Sequence, residues 1–261
     1  MRYPSHLHKC IFLLLSLSLI NKPSSLDKYT EAVCIFSGGL DSVSTASYLK
    51  KLGLDIYLIS FNYGQNGSNE LNVAKKFSTL LKSKGHKIID VSFLKTLYGD
   101  TNVLTNSRSK IPDTFDYSIV VPLRNATFIT LASVWAISLK IPLIVYGAHS
   151  GDQKYPDCRP SFVKSLEKAL TLSEIDGIKL GLRKKINIWS PAMDNLDKTK
   201  LLLIGYEVLG DKLFESWSCY RGNNNKRSKV IVQCGRCESC VNRKKAITKS
   251  GLDDKTSYAA I

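Results

Sequence analysis

The chain has 261 residues, 44% hydrophobic and 23% charged, the balance of a globular protein rather than a disordered or membrane-dominated one. Its 37 basic residues against 22 acidic leave a net charge of +15, which favours polyanionic partners (nucleotides, nucleic acid, anionic lipid) or else reflects a lysine-rich solvated surface. Seven cysteines, an odd and clustered set, argue against a secreted disulfide framework and fit thiols kept reduced.

In the first 25 residues, Arg2, Lys9 and the apolar run from Cys10 to Ile20 imitate a signal peptide. The run of eleven residues would reach roughly 16 Å as a helix, against a hydrocarbon core of roughly 30 Å, so it cannot span a membrane alone. A secretion signal, an interfacial anchor and an extension upstream of the true start all fit. The extension is preferred, because a nucleotide loop and a thiol cluster belong in the cytoplasm. Residues 1–28 are therefore set apart, 29–213 are expected to form an α/β domain, and 214–261 a metal-binding segment.

Ala32 to Phe36 reads as a buried strand. It ends abruptly in Ser37-Gly38-Gly39-Leu40-Asp41-Ser42, and a helix follows to Lys51. Two glycines let the backbone approach a ligand that a Cβ would block, and a helix N-terminus adds unpaired N–H donors and partial positive charge. Such a turn suits phosphate. It lacks the Lys-Ser/Thr pair of a Walker loop and the third glycine of a dinucleotide fingerprint. A ligand-free glycine turn is the plain alternative, but Ser-Gly-Gly-x-Asp-Ser behind a strand resembles the pyrophosphate loop of ATP-pyrophosphatase enzymes.

Further along, 55–61 reads as a strand, and Asn62 to Gln65 as a place for adenine or ribose, or a plain turn. The spacing of Val73, Phe77, Leu80 and Leu81 predicts a helix over 70–84 ended by Gly85. A short strand at 87–91 follows, then a mobile loop over 98–118. A central helix over 125–139 is expected with Asn125 as its N-cap and Arg124 at its entry, where a buried structural arginine is the alternative. A strand at 143–146 leads into the polar stretch 147–152, in which His149 reads as a satisfied loop histidine. Tyr155 to Pro160 and a helix striped by Phe162, Val163, Leu166, Ala169 and Leu170 come next. A strand at 185–189 and a core helix at 196–209 complete an alternating pattern. That pattern implies a parallel sheet with ligands beyond the carboxyl ends of its strands.

Cys219, Cys234, Cys237 and Cys240 stand with intervals of fourteen, two and two residues, a spacing that can supply four thiolates to one tetrahedral zinc. An iron–sulfur cluster and a redox pair are the rivals. Arg221, Lys226, Arg227 and Lys229, with Arg243 to Lys245, surround the cluster and face either a phosphate or solvent.

Four stretches in this order, Phe36 to Ser42, Val121 to Asn125, Tyr155 to Arg159, and Ser218 to Gly222 with Cys234 to Cys240, make the chain resemble the 7-cyano-7-deazaguanine synthases. The resemblance implies a Rossmann-like ATP-pyrophosphatase domain with a four-cysteine zinc knuckle. Its substrates would be ATP with Mg²⁺, 7-carboxy-7-deazaguanine and ammonia, in a cytoplasmic homodimer without obligatory nucleic acid or membrane. It implies ATP contacts along Phe36, Ser37, Gly38, Gly39, Leu40, Asp41, Ser42, Val43, Ser44, Thr45 and Ala46. Asp41 would also orient Mg²⁺, and Arg124, Asp157 and Arg159 would contact substrate or nucleotide. Leu40 stands where that family often has Gln, Leu123 where Gly is common, and 149–153 departs from the usual acidic pattern. A tRNA-modifying ATP pyrophosphatase and a zinc-ribbon nucleic-acid-binding protein are the competing expectations.

Overall fold

The computed structural model describes residues 22–65, 69–106, 109–221 and 232–259. The signal-like run, up to residue 21, and the basic residues Lys226, Arg227 and Lys229 lie outside them. Among these residues the strands and α-helices run in the order β1 (Glu31–Ile35), α1 (Leu40–Lys51), β2 (Asp55–Asn62), α2 (Asn69–Leu80), β3 (Gly85–Asp90), α3 (Leu94–Tyr98), α4 (Arg124–Leu139), β4 (Leu143–Val145), α5 (Pro160–Ser173), α6 (Ile175–Lys179), β5 (Asn187–Trp189), α7 (Lys198–Leu209) and α8 (Glu238–Ser250).

All strand pairs are parallel, in the order β3-β2-β1-β4-β5. Because successive side chains of a strand point to opposite faces, Ala32, Cys34, Ile56, Leu58, Leu143 and Val145 pack on one side with α1, α2 and α7. Val33, Ile59, Ile144 and Ile188 pack on the other with α4 and α5. Both faces are covered, which is why these strands read as continuous apolar runs. Chain order reverses between β1 and β4, and the crevice beyond their carboxyl ends is where such sheets bind ligands.

Several expectations are corrected. The helix predicted over 70–84 stops at Leu80, with the left-handed residue at Lys82 (φ 49°). Lys84 N–H already donates to Ile56 O, and Gly85 opens β3 opposite Tyr57, so sheet pairing overrides the helical pattern. Asn125 is not the N-cap of α4. Leu123 is, at φ 54° and ψ 14°, the conformation that Gly takes most easily.

The segment 98–118 is irregular, as expected, but its described part is anchored in the core. Asn102 is buried, donates to Ser118 O and accepts from Leu104 N–H. Leu104 and Ile111 pack with Ile119, Val121, Trp217 and the cysteines.

Residues 117–139 are long and apolar enough to cross a membrane by length and composition, with mean hydropathy 1.4. Here α4 instead packs Phe128, Ile129, Ala132 and Ala136 into the core. Leu26, within the set-apart N-terminal stretch, and Ala246 and Ile247 of α8 join Leu202 to Ile204 in one core cluster.

Candidate active site

The β1–α1 connection is held by its own polar groups. Ser42 Oγ accepts from Ser37 N–H (3.3 Å) and donates to Gly39 O (3.1 Å), while Gly39 N–H donates to Ser37 Oγ (3.2 Å). Gly38 has φ 78°, and a Cβ there would lie 2.7 Å from Ala74 N and 2.9 Å from Glu70 O, so the first turn of α2 is seated on it. Its carbonyl accepts from Trp217 N–H (3.0 Å). Behind the loop, a Cβ on Gly147, just past β4, would come within 3.1 Å of Ser42 N. The two strand ends thus pack backbone to backbone at the switch point. The first turn of α1 leaves the N–H groups of Leu40, Asp41 and Ser42 without intrahelical acceptors, pointing where an anion would sit. Val43, Ser44, Thr45 and Ala46 are buried in the body of α1 and do not line the cavity beside the loop.

A charged cluster adjoins this loop. Asp41 Oδ2 accepts from Lys198 Nζ at 2.9 Å, and Oδ1, which is buried without a hydrogen-bond partner, lies 3.7 Å from His149 Nε2. His149 Nδ1 accepts from Gly151 N–H (3.1 Å), which leaves the ring hydrogen on Nε2, facing Asp41 and Asp152 Oδ2 (3.5 Å). Burial works to raise the Asp41 carboxyl, but Lys198 and then His149 outweigh it and hold Asp41 below the usual carboxylate range. Asp152 shifts the other way, raised by burial. An orphaned carboxylate oxygen beside a second acid fits a hard cation such as Mg²⁺ carried in with phosphates. Lys198 escaped the sequence reading. Its one signal was position: a lysine opening α7, just after the N-cap Asp197, opposes the helix dipole, which is unusual without another purpose.

From the loop a cavity of about 260 Å³ runs to an aromatic end lined by Tyr63, Phe128, Tyr146, Tyr155 and Tyr220, with Arg124 and Asp157 among them. Asp157 Oδ2 accepts from Asn125 N–H (3.3 Å), and its main-chain carbonyl from Tyr146 OH (3.2 Å). Val121, Arg124 and Asn125 of one motif therefore share a wall with Tyr155, Asp157 and Cys158 of another. Gln65 and Tyr63 line the cavity, whereas Asn62 turns to Asp90. Arg159 is outside it, exposed, with Nε donating to Gln153 O (2.8 Å). Glu70, which no motif pointed to, lines it as well; an acid in the first turn of a helix is too ordinary to be noticed.

The remaining wall comes from the cysteine knuckle through Trp217, Ser218, Tyr220 and Ser239. The four Sγ atoms lie within 4.8 Å of one another, with Cys234 and Cys240 at 3.9 Å. Tetrahedral zinc with Zn–S bonds of roughly 2.3 Å spaces its sulfurs by about 3.8 Å, so the donor set fits one metal ion. Backbone N–H groups of Cys234 and Cys237 donate to Cys219 and Cys234 Sγ, each at 3.3 Å. Arg243, expected to face phosphate or solvent, does neither. It is fully buried, and its guanidinium donates to Phe214 O, Ser216 O and Oγ, Ser218 Oγ and Thr256 Oγ1 at 2.9–3.1 Å. Arg221 likewise is spent on Ile111 O and Asp113.

Residues 31–251 match the protein family described as "Queuosine biosynthesis protein QueC". Over 233 residues the chain is 39% identical to a 7-cyano-7-deazaguanine synthase of Caldicellulosiruptor saccharolyticus, covering 87% of this chain and 95% of that protein. It is 35% identical over 235 residues to one of Thermoplasma acidophilum, covering 87% and 92%. Among solved structures, a 4-thiouridine synthetase–RNA complex with bound ATP overlaps at TM-score 0.47 and 15% identity, over 85% of this chain and 51% of that one. The chain is an enzyme that belongs to the QueC family of queuosine biosynthesis proteins.

Proposed function

We propose that the enzyme converts 7-carboxy-7-deazaguanine and ammonia, at the expense of ATP, into 7-cyano-7-deazaguanine. One observation carries the reading: Phe36, Ser37 and Gly39 to Ser42 of the loop and the motif residues Arg124, Asp157 and Tyr220, far apart in sequence, line a single cavity at the switch point of the sheet. Family membership then favours this chemistry over a tRNA-modifying pyrophosphatase or a zinc-ribbon nucleic-acid binder.

The triphosphate lies against Ser37, Gly38, Gly39, Ser42 and the amides of Leu40 to Ser42, with Lys198 neutralising charge. Asp41, helped by Asp152, would hold Mg²⁺, whose charge would then offset that of the phosphate oxygens. The deazapurine stacks among the tyrosines, with Asp157 accepting from its ring N–H and amino edge and Arg124 facing its carboxylate. A carboxylate is a poor electrophile and hydroxide a poor leaving group, whereas a phosphoryl or adenylyl ester leaves readily. Ammonia captures the activated acid as an amide, and a second activation removes the amide oxygen. Cys219, Cys234, Cys237 and Cys240 would hold a structural Zn²⁺, which would fix the Trp217 to Tyr220 wall and take no part in the steps above. The six described cysteines are unbridged, in keeping with work in the cytoplasm on small molecules; a homodimer is the state to test by light scattering.

The test mixes purified protein, ATP, Mg²⁺, ammonium and 7-carboxy-7-deazaguanine and looks for the nitrile by mass. ATP consumption only when tRNA is added would refute it. Metal analysis of the same sample should return zinc, and visible charge-transfer absorption would assign iron–sulfur instead.

A further inference from the structure

The reaction just proposed strips protons from nitrogen. Ammonia that adds to an activated carboxyl must lose a proton before the phosphate ester departs. Making the nitrile from the amide then removes two more, as the oxygen leaves with its phosphoryl or adenylyl group and the N–H electron pairs become the new C–N bonds. No residue assigned so far accepts them.

Four acids line the cavity among the described residues: Asp41, Glu70, Asp152 and Asp157. Asp41 is paired with Lys198, and Asp152 accepts from His149 N–H (3.1 Å). Asp157 accepts from Asn125 N–H and from the Cys158 thiol (3.8 Å). Glu70 differs. Among the described residues its carboxyl takes a single long hydrogen bond, 3.5 Å from Gln65 Nε2, and forms no ion pair. Its backbone is fixed, because Glu70 O and Ala74 N crowd the position of a Gly38 Cβ. The carboxyl is thus carried on the same rigid contact that shapes the phosphate loop, and it opens toward Arg124 and the aromatic end.

Resting on the function above, we infer that Glu70 is the base that takes the N–H protons during amide formation and dehydration, one at a time, and passes them to water between steps. Burial pushes its carboxyl up to about 7, against the pull of Arg124 and Gln65 and with a small push from Cys219. A base of that strength is half ionised near neutral pH, where general-base catalysis is most effective. Arg124 from α4 and Tyr63 and Gln65 after β2 are the groups that face it.

The test supplies the metal-loaded full chain with ATP and either the carboxylate plus ammonium or 7-amido-7-deazaguanine, the amide intermediate, across pH 5.5–9. Glu70→Gln should lower kcat for nitrile formation from the amide by about 10²–10⁴-fold, while the Kd for ATP moves less than about threefold. Wild-type kcat should rise with pH to a plateau through an apparent pKa near 7. Glu70→Gln should flatten that limb, and Glu70→Asp should keep it at a lower rate. Turnover by Glu70→Gln within about threefold of wild type, or an acidic limb that persists in it, would overturn the assignment. If Glu70→Gln loses ATP binding, Glu70→Asp decides, since an unchanged rate and profile there refute the role. Wild-type protein that makes no nitrile would sink the parent reading instead, a result separable from an active wild type with an equally active variant.

Discussion

Two walls of one cavity reach order by different means. The loop 36–42 closes its hydrogen bonds on itself through Ser37, Gly39 and Ser42, between a central strand and a helix already fixed by the core. The knuckle gathers thiols from Cys219 and from Cys234 to Cys240, and it is clipped to the domain by one buried guanidinium whose partners are all neutral oxygens. The loop should keep its shape without ligand, because sheet and helix supply its energy. The knuckle should not, because metal and Arg243 must add to what its cysteines and Trp217 gain by burial.

The largest effect expected from that contrast is at the metal. Structural zinc in small peptides is worth roughly 10–16 kcal/mol, so Cys237→Ser should release the ion and open 232–240 to protease while most of the sheet persists. Full metal content with undiminished protease resistance would erase the distinction. Next comes Arg243→Met, which strands several buried oxygens at roughly 1–3 kcal/mol each and should cost about 3–5 kcal/mol in denaturant unfolding. Its effect should reach the loop as a weaker ATP affinity, since Ser216 and Ser218 flank the Trp217 N–H that bonds Gly38 O.

Gly38→Ala probes the other wall. A Cβ 2.7 Å from Ala74 N at a φ of 78° should cost about 1–3 kcal/mol and most of the nucleotide binding, with metal content unchanged. Metal loss in that variant would mean the two walls are one unit. The smallest effect belongs to Leu123→Gly. Relief of left-handed strain, roughly 1–2 kcal/mol, is offset by the freedom Gly adds to the unfolded chain, roughly 0.4–1 kcal/mol. A net gain of about 0.5 kcal/mol should show as a slightly higher Tm, leaving both walls untouched.

Where an arrangement is local, the residues announced it. Gly38-Gly39 and the Cys-x-x-Cys-x-x-Cys run are short patterns whose chemistry depends on neighbours a few residues away. Where it is assembled across the sheet, they did not. Lys198 meets Asp41 from α7, Glu70 enters the cavity because α2 is seated on Gly38, and Arg243 looked like one more surface cation in a basic chain. The far end of the helix expected over 70–84 and the buried anchoring of the irregular segment 98–118 escaped for the same reason. Pairing of Gly85 with Tyr57 and burial of Asn102 and Leu104 are long-range events that override local pattern.

What the sequence by itself determined is the period of its strands and helices, the glycine turn behind β1 and the set of thiols, because backbone sterics and side-chain spacing act within a few residues. Only the tertiary structure decided which acid is paired and which is left open in the cavity, and which arginine is buried. A carboxylate or guanidinium takes its role from the charges, dipoles and water around it, and those are brought to it by packing.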